Sequence, residues 1–285
     1  MKEEKLDRDN REQAKANEYK DQTAEYHSGE QLSDQRLELL VTDILDIGEL
    51  LLRSGAEVSR VEDTVERIGG AYGFARTDIF TITSSIVYTV HTKDGKVITQ
   101  TRRIKDAADD MERLERINAL SRQICSKPVS PEELKDMIRG VRQVRHYNNV
   151  LLMFAYILIS VSFTIFFGGS ILDAVASMLA GIVLYLVVTL GNLIQMQKMI
   201  LIIFSSFITG LTAAMLIGIG IGESFDKIVI GNIMLLIPGK AFTTSLRDIL
   251  KGDMISGSLG MLEALFRASG IALGFAMVML IKGVD

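Results

Sequence analysis

Ile228-Val-Ile-Gly-Asn-Ile-Met-Leu-Leu-Ile237 runs directly into Pro238-Gly239 and then into Lys240-Ala-Phe-Thr-Thr-Ser-Leu-Arg-Asp-Ile-Leu-Lys-Gly-Asp253. The first part has the composition of a membrane helix, but it is roughly half the about 20 apolar residues that crossing a hydrocarbon core requires. A helix that stops inside a bilayer frees main-chain N–H and C=O groups that lipid cannot satisfy, so they must face protein or a wet cavity. Short apolar segments interrupted by Pro or Gly point to the binding site of a secondary transporter.

Four more apolar segments surround the broken one, at 150–167, 171–190, 199–221 and 260–281. With 228–237 they predict an all-α polytopic membrane domain of five transmembrane helices over residues 148–285, the fourth short and broken at Pro-Gly. Between residues 150 and 222 the only charges are Asp173 and Lys198. Residues 150–285 carry seven acids and seven bases, so the whole net charge of −4 lies earlier, where 28 acids face 24 bases. That balance does not resemble a nucleic-acid-binding surface, and no nucleic-acid partner is expected. Arg139, Arg142 and Arg145 precede the first span, and Lys198, Lys240, Arg247 and Lys251 fall on the same side after the crossings. The bias of Lys and Arg toward the cytoplasm predicts a cytoplasmic N-terminus and a C-terminus outside, in a bacterial inner membrane.

The first half reads differently. Residues 1–31 are rich in Lys, Glu, Gln and Asn and almost devoid of aliphatic side chains. They lack the apolar core of a signal peptide and are expected to be a disordered tail. Leu37, Leu40, Val41, Ile44, Ile47 and Leu51 recur at helical spacing up to Gly55. Val58, Val61, Val65 and Ile68 mark a second helix, expected to end at Gly69-Gly70. From Phe80 the period changes to two, with Phe80, Ile82, Ile86, Tyr88 and Val90 on one parity. Asp94-Gly95 is a hairpin turn, and residues 97–104 return as the partner strand. Met111 to Ile124 is helical again, and Ser130-Pro131-Glu132-Glu133 opens a further helix as a capping box with Pro at its first position. Residues 32–147 are therefore expected to form a cytoplasmic α+β domain with its own core.

Leu51-Leu-Arg-Ser-Gly-Ala-Glu-Val-Ser-Arg-Val-Glu62, the strand pair with Lys93-Asp-Gly-Lys96 and Thr101-Arg102-Arg103, and Leu236-Ile-Pro-Gly239 form one set of motifs. Phe242-Thr243, Arg247-Asp248, Gly252-Asp253 and Ser256-Gly257 extend it. Together they resemble the bacterial threonine/serine exporter family, in its YjjP-like branch, across residues 34–282. The resemblance implies a cytoplasmic domain followed by membrane helices. It also implies pairing with a smaller YjjB-like membrane subunit, or with further copies of the chain. The implied activity is proton-driven export of threonine and serine, or of C4-dicarboxylates such as succinate. The chain departs from the family's usual pattern at Thr244, where Asn is often found, and at Gly260, where Arg is common. The resemblance further marks Gly55, Glu57, Arg60 and Glu62 as a cytoplasmic-domain motif.

Several residues are candidates for chemistry. Asp173 is the one acid within the first three spans. An intramembrane carboxylate is a functional candidate by default and could carry a coupled proton; alternatively it caps its helix at the outer interface. Asn232, Pro238, Gly239, Thr243 and Thr244 lie in and beyond the break. A helix starting near Ala241 would aim a partly positive end at an anionic substrate; the plain alternative is an amphipathic helix on the bilayer surface. Arg247 and Asp248 are adjacent and do not face each other on a helix, whereas Glu263 and Arg267 do, at i,i+4. Either pair could gate substrate, and a shielded ion pair is the simpler reading of the second. The three histidines are scattered, the single Cys125 permits no intrachain disulfide, and no nucleophile–His–acid set is evident. Neither catalysis, a metal nor a cofactor is expected. The competing functional class is a membrane-anchored sensor or scaffold, with the soluble domain as its working part.

Overall fold

The computed structural model describes residues 34–105, 109–143 and 147–283; the expected tail at 1–31 lies outside them. Within these residues the chain divides into two compact units. One takes residues 34–143 together with Arg247–Gly257, and the other takes 147–246 and 258–283.

The first unit is a layer of helices on a three-stranded sheet. α1 (Asp34–Arg53) and α2 (Val58–Ala71) are joined at Gly55, whose φ of 80° is the left-handed conformation that ends helices without a Cβ penalty. β1 (Arg76–Ile82), β2 (Ser85–His91) and β3 (Val97–Arg103) form an antiparallel meander in the order β1-β2-β3. α3 (Met111–Ser126) and α4 (Pro131–Arg142) complete the unit. Ser130 caps α4 as its sequence requires, its Oγ accepting the Glu133 N–H at 3.3 Å. Leu40, Ile44, Ile47 and Leu51 of α1 and Val61, Val65 and Ile68 of α2 meet Ile86, Tyr88 and Val90 of β2 in one core. Asp46 of α1 clamps the layers: its two oxygens take Arg102 of β3 and Arg142 of α4, each at 2.6 Å.

Two sequence expectations are corrected here. The single strand expected from Phe80 onward is two strands, because the chain reverses at Thr83-Ser84 and pairs Ile82 with Ser85. The reversal inverts the parity: Thr81 is buried, while Phe80 is 56% exposed on the far face. Gly69-Gly70 does not end α2, which continues to Ala71. Gly69 is needed for close approach instead, since a Cβ there would lie 2.6 Å from the Tyr88 hydroxyl.

The second unit is helical. α5 (Asn149–Phe166), α6 (Ile171–Leu193), α7 (Lys198–Gly218) and α10 (Met254–Lys282) include four stretches long and apolar enough to cross a membrane. Between α7 and α10 lie α8 (Phe225–Ile233) and α9 (Gly239–Lys251); the end of α9 from Arg247 and the start of α10 to Gly257 belong to the first unit. The fourth expected span, short and broken over 228–237, corresponds to α8, which has nine residues and is not one of the four. Close packing explains the glycines. A Cβ on Gly274 of α10 would meet the Ile203 carbonyl of α7 at 2.6 Å, and one on Gly210 of α7 would meet Phe275 at 2.8 Å. Small residues of this kind let membrane helices approach where no hydrophobic force drives them together.

Candidate functional site

Asn232, the one amide in the short apolar run, anchors α8. Its Nδ2 donates to Ile228 O at 2.9 Å and to Ser177 Oγ of α6 at 3.0 Å, and its Oδ1 accepts from Ser160 Oγ of α5 at 3.0 Å. Thr164 Oγ1 donates within the same cluster, 2.7 Å from Ser177 Oγ and 2.9 Å from Ser160 O. All four side chains are buried. Gly181 and Gly231 make the approach possible. A Cβ on Gly231 would sit 2.0 Å from Thr164 Oγ1 and 2.7 Å from the Ser160 carbonyl. In this conformation the Asn232 amide is saturated by protein and serves as a three-helix tie.

Asp173 occupies the end of α6. Its Oδ2 accepts the Ser170 N–H at 2.9 Å while Ser170 Oγ accepts the Asp173 N–H at 3.1 Å, a reciprocal capping box. Its Oδ1 accepts the N–H groups of Glu223 and Ser224, at 2.7 and 2.9 Å. The carboxylate therefore staples the start of α6 to the turn that precedes α8. Lys227 reinforces the same end by donating to Gly168 O at 2.9 Å.

From that end, α8 rises only about 14 Å at 1.5 Å per residue, roughly half a hydrocarbon core. The chain then turns through Met234–Leu236, Pro238 accepts the Phe242 N–H at 3.0 Å, and α9 begins at Gly239. The new helix starts two residues before the expected Ala241. Thr243 Oγ1 is spent on Gly239 O at 2.9 Å, and Thr244 is half-buried. Gly260 lies against Ser245, where a Cβ would meet Ser245 Oγ at 2.3 Å. Glu263 and Arg267 pair at 2.6 Å, as their spacing requires. Because α10 begins at Met254 rather than near 260, the pair sits some ten residues into the helix.

The motif residues of the α+β unit and those beyond the break come together within one unit. Glu57 caps α2 by position but makes no side-chain cap bond. Its carboxylate accepts from Arg247 and from Lys251, the latter at 2.8 Å, on successive turns of α9. Lys251 also donates to Ser59 Oγ at 3.0 Å. Burial works to raise the Glu57 carboxyl, yet the hydrogen bonds and charges of Lys251 and Arg247 hold it below the usual range.

Asp248 lies beside this clamp and is 4% exposed, with Oδ1 buried and without a hydrogen bond. Burial, then the charges of Asp253 and Glu57, push its carboxyl up to about 6. Gly252, at φ 100°, closes α9 with Asp253 N–H donating to Asp248 O at 2.9 Å, which fixes Asp253 nearby. Glu62 of α2 accepts the Thr81 N–H at 2.7 Å, and Ser256 Oγ donates to Thr81 O at 3.3 Å. Burial raises Glu62 too, aided by Asp253 and Asp248 and opposed by the Thr81 N–H. Arg60 of the same motif is exposed on α2. The contact joins residues about 190 positions apart, so adjacent charges such as Arg247 and Asp248 gave no warning of it.

Four apolar helices, a short helix ended by Pro-Gly and an α+β unit define a polytopic helical membrane protein. The chain belongs to the ThrE family, described as "Putative threonine/serine exporter", whose model matches residues 43–282. A protein of Mycobacterium tuberculosis described as "Probable threonine/serine exporter" is 24% identical over 230 residues, covering 80% of this chain. The chain spans 43% of that relative's length. No solved structure matches.

Proposed function

We propose that the chain is one subunit of a secondary-active exporter of small polar metabolites: threonine and serine, or C4-dicarboxylates such as succinate. The family match over 43–282 carries this reading. The interrupted α8–α9 segment supports it, because a short apolar helix ended by Pro-Gly is the kind of element around which transporters of this plan hold substrate. Alternating access would rock α8–α9 about the Asn232 tie. Thr243, Thr244 and the first turn of α9 would face the substrate, with Pro238 and Gly239 setting the break. Glu263 and Arg267 would face the pathway from α10. The substrate's carboxylate would take the positive end of α9. A smaller YjjB-like membrane subunit would complete the pathway, with a homo-oligomer as the other arrangement. The broken segment would cross to place the N-terminus in the cytoplasm and the C-terminus outside.

The test is efflux of labelled threonine, serine and succinate from bacterial cells making this chain alone, the second subunit alone, or both. The reading expects efflux from the pair only. Efflux equal to that of cells with neither protein, in all three strains, would remove it. The sensor or scaffold alternative has no comparable support in the structure, since an anchor needs no interrupted helix.

A further inference from the structure

The contact between α9 and the start of α2 pairs two bases with one acid, yet it also buries a second acid that takes a main-chain hydrogen bond from Val58 and no cation. Asp248 Oδ1 is enclosed and unpartnered. The charged groups around it come from each packed element: Lys251 and Arg247 on its own helix, Asp253 in the turn after it, Glu57 and Glu62 on α2. The two cations bond to Glu57, not to Asp248. A buried carboxylate among other carboxylates, with one oxygen unbonded, favours its protonated form even though the Val58 N–H supports the ionised one. The acid is therefore a fault in the contact when ionised and a neutral filler when protonated.

We propose that Asp248, with Asp253 and Glu62 around it, is a proton-binding site that operates the contact as a latch: protonation fastens residues 247–257 onto α2, and ionisation loosens them. The ligand is the proton itself. The sign follows from linkage. The docked carboxyl titrates near 6 against 3.8 for a free one, so the docked form takes up the proton as pH falls. The ratio of docked to released chain should then rise about tenfold between about pH 7 and about pH 5. The Glu57 clamp does not oppose this, because its carboxyl is held below the usual range and stays ionised across that window. It weakens the latch only at lower pH, when Glu57 itself is protonated. Acidification would thus fix the helix that follows the break, so the latch rests on the exporter reading for its purpose but not for its existence.

The experiment measures the latch without transport. Spin labels are placed at Leu250→Cys on the exposed face of α9 and Glu66→Cys on the exposed face of α2, in the full chain carrying Cys125→Ser. Distance distributions are recorded in lipid nanodiscs at about pH 7 and about pH 5. The expected result is a docked-to-released ratio about tenfold higher at the lower pH. Asp248→Asn should give the same ratio at both. Asp253→Asn, which removes a neighbouring charge and leaves Asp248 in place, should move the transition to lower pH. A wild-type ratio that does not change, or an Asp248→Asn chain that keeps the wild-type response, overturns the proposal. A working latch in a chain that exports nothing would leave the latch standing and remove the exporter reading.

Discussion

Gly231→Ala should separate α8 from α5. The added Cβ would fall 2.0 Å from Thr164 Oγ1, 2.7 Å from the Ser160 carbonyl oxygen and 3.0 Å from the Thr164 nitrogen. Only the first of these can be relieved by a rotamer, since the other two are main chain inside α5. The helices must move apart, and the Asn232–Ser160 and Asn232–Ser177 bonds stretch with them. Overpacking costs about 1–3 kcal/mol, and the main-chain obstacles put this site at the upper end, about 3 kcal/mol. For a chain of this size that is roughly a 6–12 °C fall in melting temperature.

The assay is thermal unfolding of the purified chain in detergent, with Gly218→Ala as the matched control. Gly218 belongs to a helix of the same unit and has nothing within 4 Å of an ideal Cβ. Adding Thr164→Ala to Gly231→Ala should recover less than half the loss, because the main-chain contacts persist. Equal melting temperatures for Gly231→Ala and Gly218→Ala would refute the packing argument.

Asp173 and Asp43 offer sharper contrasts. Asp173→Asn replaces one acceptor oxygen with an NH2 donor that faces a main-chain N–H, and should cost about 1–3 kcal/mol in the same melting assay. A residue that only carried protons would instead alter the pH profile of efflux and leave stability unchanged. Asp43 of α1 is 8% exposed, and burial, with Asp46 adding to it, pushes its carboxyl up to about 6. A raised carboxyl favours the fold below its ordinary range and penalises it as pH rises through the folded value. Asp43→Asn should therefore stabilise the chain by on the order of 3 kcal/mol at about pH 7, by about half of that at about pH 5, and hardly at all below the ordinary carboxyl value of 3.8. Melting temperatures at the two pH values check this, and a gain that is the same at both would contradict it.

The sequence made the helices of the α+β unit legible because Leu40, Ile44 and Ile47, or Val61, Val65 and Ile68, repeat on one face and end at turn formers. It misled at Phe80, where alternation continues through a tight reversal that no Gly or Pro announces. The membrane helices were visible as apolar runs, and the break as a run cut short by Pro238. The tie at the start of α8 was not visible, because it depends on Asp173 of α6 accepting the Glu223 and Ser224 N–H groups across some fifty residues. Nor were the partners of Asn232 visible, because Ser160 and Ser177 reach its amide from two other helices. The latch lay beyond reach altogether, since Glu57 and Arg247 are brought together only by the fold.

Counterflow in proteoliposomes tests the central claim most directly. The chain is reconstituted with the proposed smaller membrane subunit, the vesicles are loaded with unlabelled threonine, serine or succinate, and uptake of the labelled form is followed. The account predicts uptake for at least one of these substrates when both proteins are present and none above empty vesicles with this chain alone. No counterflow from the reconstituted pair with any of the three would contradict it.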